Sequence, residues 1–136
     1  MNMTVIRRVR PLGIIILEII ALGSSAWNGL RLSEAFFFWK TLTKFGASPQ
    51  YIAISGGIWF ISGITLATGI WLRKTWAWAG TIGCMAGYSV WYWLDRLFLQ
   101  VPHSNWLFAI TFTVLMLLIS VFILFSPKTR SYFNLL

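Results

Sequence analysis

The stretch PLGIIILEIIALGSSAWNGL, Pro11 to Leu30, decides how this chain is read. Glu18 is the one charge in it. Wound as a helix rising about 1.5 Å per residue, it covers about 30 Å, the depth of a bilayer's hydrocarbon core. Pro11 suits a first helical turn, where its missing N–H would be unsatisfied anyway. The stretch is therefore a membrane-crossing helix.

Three more stretches repeat the pattern. The second span runs from Tyr51 to Leu72, with Ser48 before Pro49 as its cap and first turn. The third runs from Trp76 to about Leu94. The fourth runs from Trp106 to Phe125 and stops at Ser126-Pro127. No span has an interior proline, the residue that would break its hydrogen-bond ladder. The expected fold is an all-α integral membrane domain over residues 1–136: a four-transmembrane-helix bundle with spans 11–30, 51–72, 76–94 and 106–125.

Composition agrees. Apolar, aromatic and sulfur side chains make up 58% of the 136 residues and charged ones 10%, against about 25% charged in a soluble domain. A water-exposed fold of this size would be left with large apolar patches. The net charge of +8 does not mark a nucleic-acid binder, because the basic residues fall in short clusters between apolar stretches. Anionic lipid headgroups account for them. Cys84, the single cysteine, makes neither an internal disulfide nor a cysteine metal site.

The basic flanks set the orientation, since cytoplasmic loops carry the excess of Lys and Arg. Arg7, Arg8, Arg10, Arg73, Lys74, Lys128 and Arg130 fall on one side, and Arg31, Lys40, Lys44 and Arg96 on the other. Seven against four puts both termini in the cytoplasm. Tryptophans prefer the headgroup level at either face, and apart from Trp59 in mid-helix those of the spans sort into two belts. Trp71, Trp76 and Trp78 lie at the inner level, and Trp27, Trp91, Trp93 and Trp106 at the outer.

LSEAFFFWKTLTKF, Leu32 to Phe45, is too polar to cross. It is expected as an amphipathic interfacial helix between the first two spans, with Ala35, Phe38, Trp39, Leu42 and Phe45 on one face and Ser33, Lys40, Thr41 and Lys44 on the other. Gly46 would end it. The alternative is a helix packed on the bundle as an outer cap. A second alternative concerns residues 1–26, where a basic segment, an apolar run and the small residues Ser24 and Ala26 resemble a cleaved secretory signal. Glu18 in the middle of the apolar run argues against it.

Few residues carry chemistry. Glu18 sits about two turns into the first span, where an ionised carboxylate is expensive unless paired or facing water. One reading is a proton or ligand site, with Ser25 on the same face extending a polar track. The other is a packing role, with a hydroxyl from Thr65, Thr68 or Thr81 as partner. Asp95 and Arg96 close the third span. Neighbours on a helix do not face each other, so each needs its own partner, Glu34 being available to Arg96. They read as outer-interface charges that anchor helix depth, with ligand binding at the outer mouth as the alternative.

Small residues mark helix packing. Ala79, Gly83 and Gly87 recur every four residues on the third span, and Gly56, Gly63 and Ala67 form a looser stripe on the second. Such stripes let backbones approach closely where no hydrophobic force draws helices together. Packing within the chain is their first expected use, and association with another chain is the alternative. His103, the lone histidine, falls in the outer loop QVPHSN, so no pair of axial haem ligands exists. No metal, cofactor, phosphate loop or catalytic triad is indicated.

RPLGIIILE (Arg10–Glu18), GIWLRKTWAW (Gly69–Trp78), YWLDRL (Tyr92–Leu97), NWLFAITF (Asn105–Phe112) and SPKTRSYF (Ser126–Phe133) together resemble a loose group of small, uncharacterised four-helix bacterial integral membrane proteins. The resemblance implies a multi-pass protein of the bacterial cytoplasmic membrane and brings no activity with it. Glu18 in GIIILEII is also similar to the glutamate in the first helix of small multidrug resistance transporters. The long segment 31–50 departs from their pattern, so this is analogy only.

The function expected is that of a non-enzymatic membrane protein acting through helix packing, as an accessory or assembly subunit or a small homo-oligomer. Its partners are the lipid bilayer and other membrane chains or its own copies, not nucleic acid. The alternative is a proton-coupled small-molecule carrier or binder centred on Glu18.

Overall fold

The computed structural model describes residues 10–99 and 105–135; Arg7, Arg8 and His103 lie outside the described residues. The described residues form helices and no strand: α1 (Leu12–Phe37), α2 (Trp39–Lys44), α3 (Pro49–Trp71), α4 (Thr75–Phe98), α5 (Trp106–Phe125) and α6 (Pro127–Tyr132). Three of them, α1, α3 and α5, are long and apolar enough to cross a membrane. α4 matches them in length with 24 residues. Its threonines, serine, tyrosines and tryptophans, with Asp95 and Arg96, hold its hydropathy below theirs. Of the four expected spans, three therefore qualify on length and hydropathy together.

Local chemistry sets several boundaries. Ser48 Oγ accepts from the Tyr51 N–H at 3.3 Å, with Pro49 in the first turn of α3. Gly46, at φ +76°, follows α2. It supplies the left-handed conformation that side chains resist. Ser126 ends α5 and caps α6, its Oγ accepting from the Thr129 N–H at 3.3 Å. Between α3 and α4 the chain reverses within Leu72–Lys74. Arg73 there takes φ 55° and donates its N–H to Ile70 O at 3.1 Å.

The segment from Leu32 to Phe45 is not one helix. α1 continues unbroken through Phe37, the ladder breaks at Phe38, and only Trp39–Lys44 forms a separate helix. Nothing between Leu30 and Phe37 is a helix breaker, so moving from an apolar to a polar setting does not interrupt the backbone ladder. Phe36, Phe37, Phe38 and Phe45 are all exposed. That arrangement suits an interface and does not seal the bundle like a cap.

Neighbouring long helices run antiparallel. α1 and α3 make the most intimate pair, and glycine is the reason. A Cβ on Gly63 would stand 2.7 Å from Ser25 Cβ and 3.0 Å from Ala21 O, and one on Gly56 would stand 3.0 Å from Asn28 O. α4 lies along α3, from Trp76 against Gly69 to Asp95 beside Tyr51. α5 is tied to α4 by Trp78 with Phe125 near one end and Trp93 with Trp106 near the other. α1 and α5 touch near Gly13 and Ile123.

The buried core collects at the end that carries the α3–α4 turn, called the turn end below; the opposite end, with α2, is the loop end. Ile14, Leu17, Leu66, Ile70, Ala77 and Leu124 belong to this core, together with Tyr132 and Phe133 at the end of α6. Phe133 is wholly buried, and the Tyr132 hydroxyl donates to Ile70 O at 3.1 Å. α6 is thus a plug against the turn end. The residues facing outward along α5 are Leu107, Phe108, Leu118 and Phe122, each more than three-fifths exposed. Water would penalise such a surface, whereas lipid accepts it.

Candidate functional site

Glu18 projects from α1 two turns from its start and is nearly buried. Its partner is Arg10, whose Nη1 lies 3.2 Å from Oε1 and 3.3 Å from Oε2. The same guanidinium lies 3.6 Å over the ring of Trp71, the last residue of α3. One cation therefore neutralises a carboxylate held among apolar residues and stacks on an aromatic face, which are two favourable uses of a planar guanidinium. The hydroxyls offered by the sequence as partners are engaged elsewhere or turned outward. Thr68 donates to Ile64 O and Thr81 to Ala77 O, both within their own helices, and Thr65 is exposed.

Ser25 lies on the same face of α1, but no polar track joins it to Glu18. Ala21 sits between them, buried against Gly63. Ser25 donates its hydroxyl across the helix pair to Phe60 O at 2.7 Å, a polar clasp where the backbones come closest. Asn28, one turn further and wholly buried, donates Nδ2 to Ser24 O at 2.8 Å.

A second polar cluster stands at the loop end. Tyr51 OH donates to Asp95 Oδ1 at 2.8 Å and accepts from Trp91 Nε1 at 3.0 Å, while the Arg31 guanidinium lies 5.2 Å from the Trp91 ring centroid. α1, α3 and α4 are joined here by one chain of contacts, with Asp95 only 5% exposed. Arg96 is half-buried on the adjoining side of α4. Trp59, Tyr88 and Trp91 pack edge-on or tilted, with centroids 5.0 to 5.7 Å apart, and extend the cluster inward.

The small-residue stripes divide. Gly56, Gly63 and Ala67 of α3 lie toward α1 or the core. On α4, Ala79 and Gly83 face outward, with nothing within 4 Å of a Cβ built on Gly83, and Gly87 borders Trp59 at 3.6 Å. Packing within the chain is therefore not the use of Ala79 and Gly83. The inward face of α4 is taken by Ala77, Thr81 and Asp95, which leaves Ala79, Gly83 and Ala86 on its back.

A cleft of about 560 Å³ lies among α1, α3, α4 and α5, lined mostly by apolar and aromatic side chains. Glu18 and Ser25 are not among its lining residues. Among the described residues no three of His, Cys, Asp and Glu come together as metal ligands would.

Arg10, Tyr51, Tyr132 and Phe133 were not singled out as partners in the sequence. Only Arg10 left a signal: its spacing of eight from Glu18 is about two helical turns, within reach of a long side chain. Three apolar helices of spanning length, held together by small residues and a few buried polar clasps, define a multi-pass helical membrane protein. No protein family, curated protein or solved structure matches the chain.

Proposed function

We propose that this is a non-enzymatic protein of the cell membrane that acts by helix packing against other membrane chains, as an accessory or assembly subunit or as a small homo-oligomer. In this reading α4 is the fourth crossing and both termini are cytoplasmic. Two features support that topology. α4 runs the full length of α3 beside it, and Arg10 and Arg73 sit together at the turn end, against Trp71 and Tyr132.

The observation that carries the function is the back of α4. Ala79, Gly83 and Ala86 are exposed there, whereas α5 turns Leu and Phe outward. Small side chains give a helix little contact with lipid, but they let a second helix approach closely enough for extensive van der Waals contact. Purification in mild detergent should recover a defined oligomer or stoichiometric partner chains. Gly83→Leu should release them and leave the chain folded, because that position opens onto free space. A wild-type protein that is strictly monomeric and free of partners overturns the proposal.

The rival reading, a proton-coupled carrier or binder centred on Glu18, makes a different prediction. Glu18→Gln would abolish transport or binding while the fold survives. In the packing reading the same substitution acts through stability alone.

A further inference from the structure

The cleft among α1, α3, α4 and α5 lies at the middle depth of the helices and toward the loop end. Its walls run from Leu17 to Trp27 on α1 and from Phe108 to Leu117 on α5. α1 and α5 meet near the turn end, where a Cβ on Gly13 would come within 2.7 Å of Ile123. Beyond that contact their cleft-lining residues Ile19, Trp27, Phe108 and Phe112 are all more than half exposed. The cleft therefore opens sideways between these two helices, into the hydrocarbon layer.

The lining is graded. Leu17, Leu66 and Leu117 line the end nearer the turn, where the Thr81 hydroxyl is spent on Ala77 O, and the hydroxyl-bearing Ser24, Tyr88, Ser89 and Tyr92 line the end nearer the loop. Water is a poor filler for an apolar wall, since it needs several polar partners. A void there would forfeit the dispersion contacts of its lining. A second crossing helix, about 10–12 Å across and about 30 Å long, fills several times the cleft's volume. The volume falls within the roughly 300–1,000 Å³ of small-ligand sites.

We infer that the cleft holds one acyl chain of a bilayer phospholipid, admitted between α1 and α5, with its ester and headgroup toward the loop end. An extended hydrocarbon chain suits the apolar end, and the ester oxygens meet the tyrosine and serine hydroxyls. This site is separate from the back of α4.

The test uses the full chain in phosphatidylcholine vesicles containing a phosphatidylcholine with a photoactivatable diazirine in mid-chain, followed by peptide mass spectrometry. The expected result is adducts on Cys84, Met85 and Met116, which line the cleft, besides those on outward-facing Phe122. Ser89→Trp should fill the cleft and lower the cleft adducts about tenfold relative to Phe122. Thr113→Trp, from the opposite wall, provides the same test if the first variant does not fold. Adducts confined to outward-facing residues overturn the proposal, as do cleft adducts unchanged in a folded variant. So does cleft labelling by a diazirine fatty alcohol but not by the phospholipid, which would assign the cleft to a free single-chain amphiphile.

Discussion

Arg10 Nη1 stands 3.2 Å from Oε1 of Glu18, and this contact spans two turns along the start of α1. The pair is mostly sheltered, with 27% of the arginine side chain and 12% of the glutamate side chain exposed. Arg10→Ala would leave a carboxylate among apolar residues without its cation and is expected to cost about 1–3 kcal/mol. Removing both partners should cost clearly less than the two single losses combined. Unfolding of the detergent-solubilised variants by heat or dodecyl sulfate measures this, and strict additivity would dismiss the coupling.

The two glycine environments predict opposite outcomes for one chemical change. Gly63→Ala drives a methyl against Ser25 Cβ and the Ala21 backbone, and an overpacked helix pair of this kind is expected to lose about 1–3 kcal/mol. Gly83→Ala meets nothing within 4 Å. In the chain separated from any partner it should be neutral or stabilising by up to about 1 kcal/mol, the ordinary gain of alanine over glycine inside a helix. Melting curves of the two variants side by side decide the matter.

Tyr51 joins Asp95 to Trp91 through one hydroxyl. Tyr51→Phe keeps the ring and removes both bonds, leaving the buried carboxylate short of a donor at an expected cost of about 1–3 kcal/mol. Tyr51→Phe as stable as wild type would show that the cluster does not hold α3 to α4.

Phe133 is wholly buried beyond α6. Phe133→Ala is expected to cost about 3–5 kcal/mol, as large-to-small changes in a packed core do. It should also free α6 from the turn end. Limited proteolysis reads this directly, because cleavage between Ser126 and Phe133 should accelerate in the variant while α5 stays protected.

Three of the four expected spans, α1, α3 and α5, were legible in the sequence as helices long and apolar enough to cross, while α4 falls short in hydropathy. Crossing a bilayer is a demand that each segment meets alone, so length, apolar content and caps such as Ser48 carry the message locally. Two features were less legible. The break at Phe38 leaves no mark in a run of phenylalanines, since no helix breaker stands there. α6 is six residues long and owes its place to the burial of Tyr132 and Phe133, contacts with residues some 60 positions away in the chain.

The candidate site was legible in its residues and not in its pairings. Glu18 stood out as a deep charge, but its partner is Arg10, which as a sequence feature was one basic residue of an inner flank. Asp95 stood out too, and the hydroxyl it accepts from belongs to Tyr51, at the start of a different helix. Glycine stripes announce close approach without saying to what. Gly63 meets α1, and Gly83 faces away from its own chain.

The opening stretch from Pro11 to Leu30 marks the division. By itself the sequence determined that it is helical and long and apolar enough to span the hydrocarbon layer, where backbone hydrogen bonds must close within the segment. Only the tertiary structure decided what Glu18, Ser25 and the small residues touch. Between helices in lipid there is no general hydrophobic pull, so specific close contacts set the arrangement. Those contacts exist only once the helices are placed side by side.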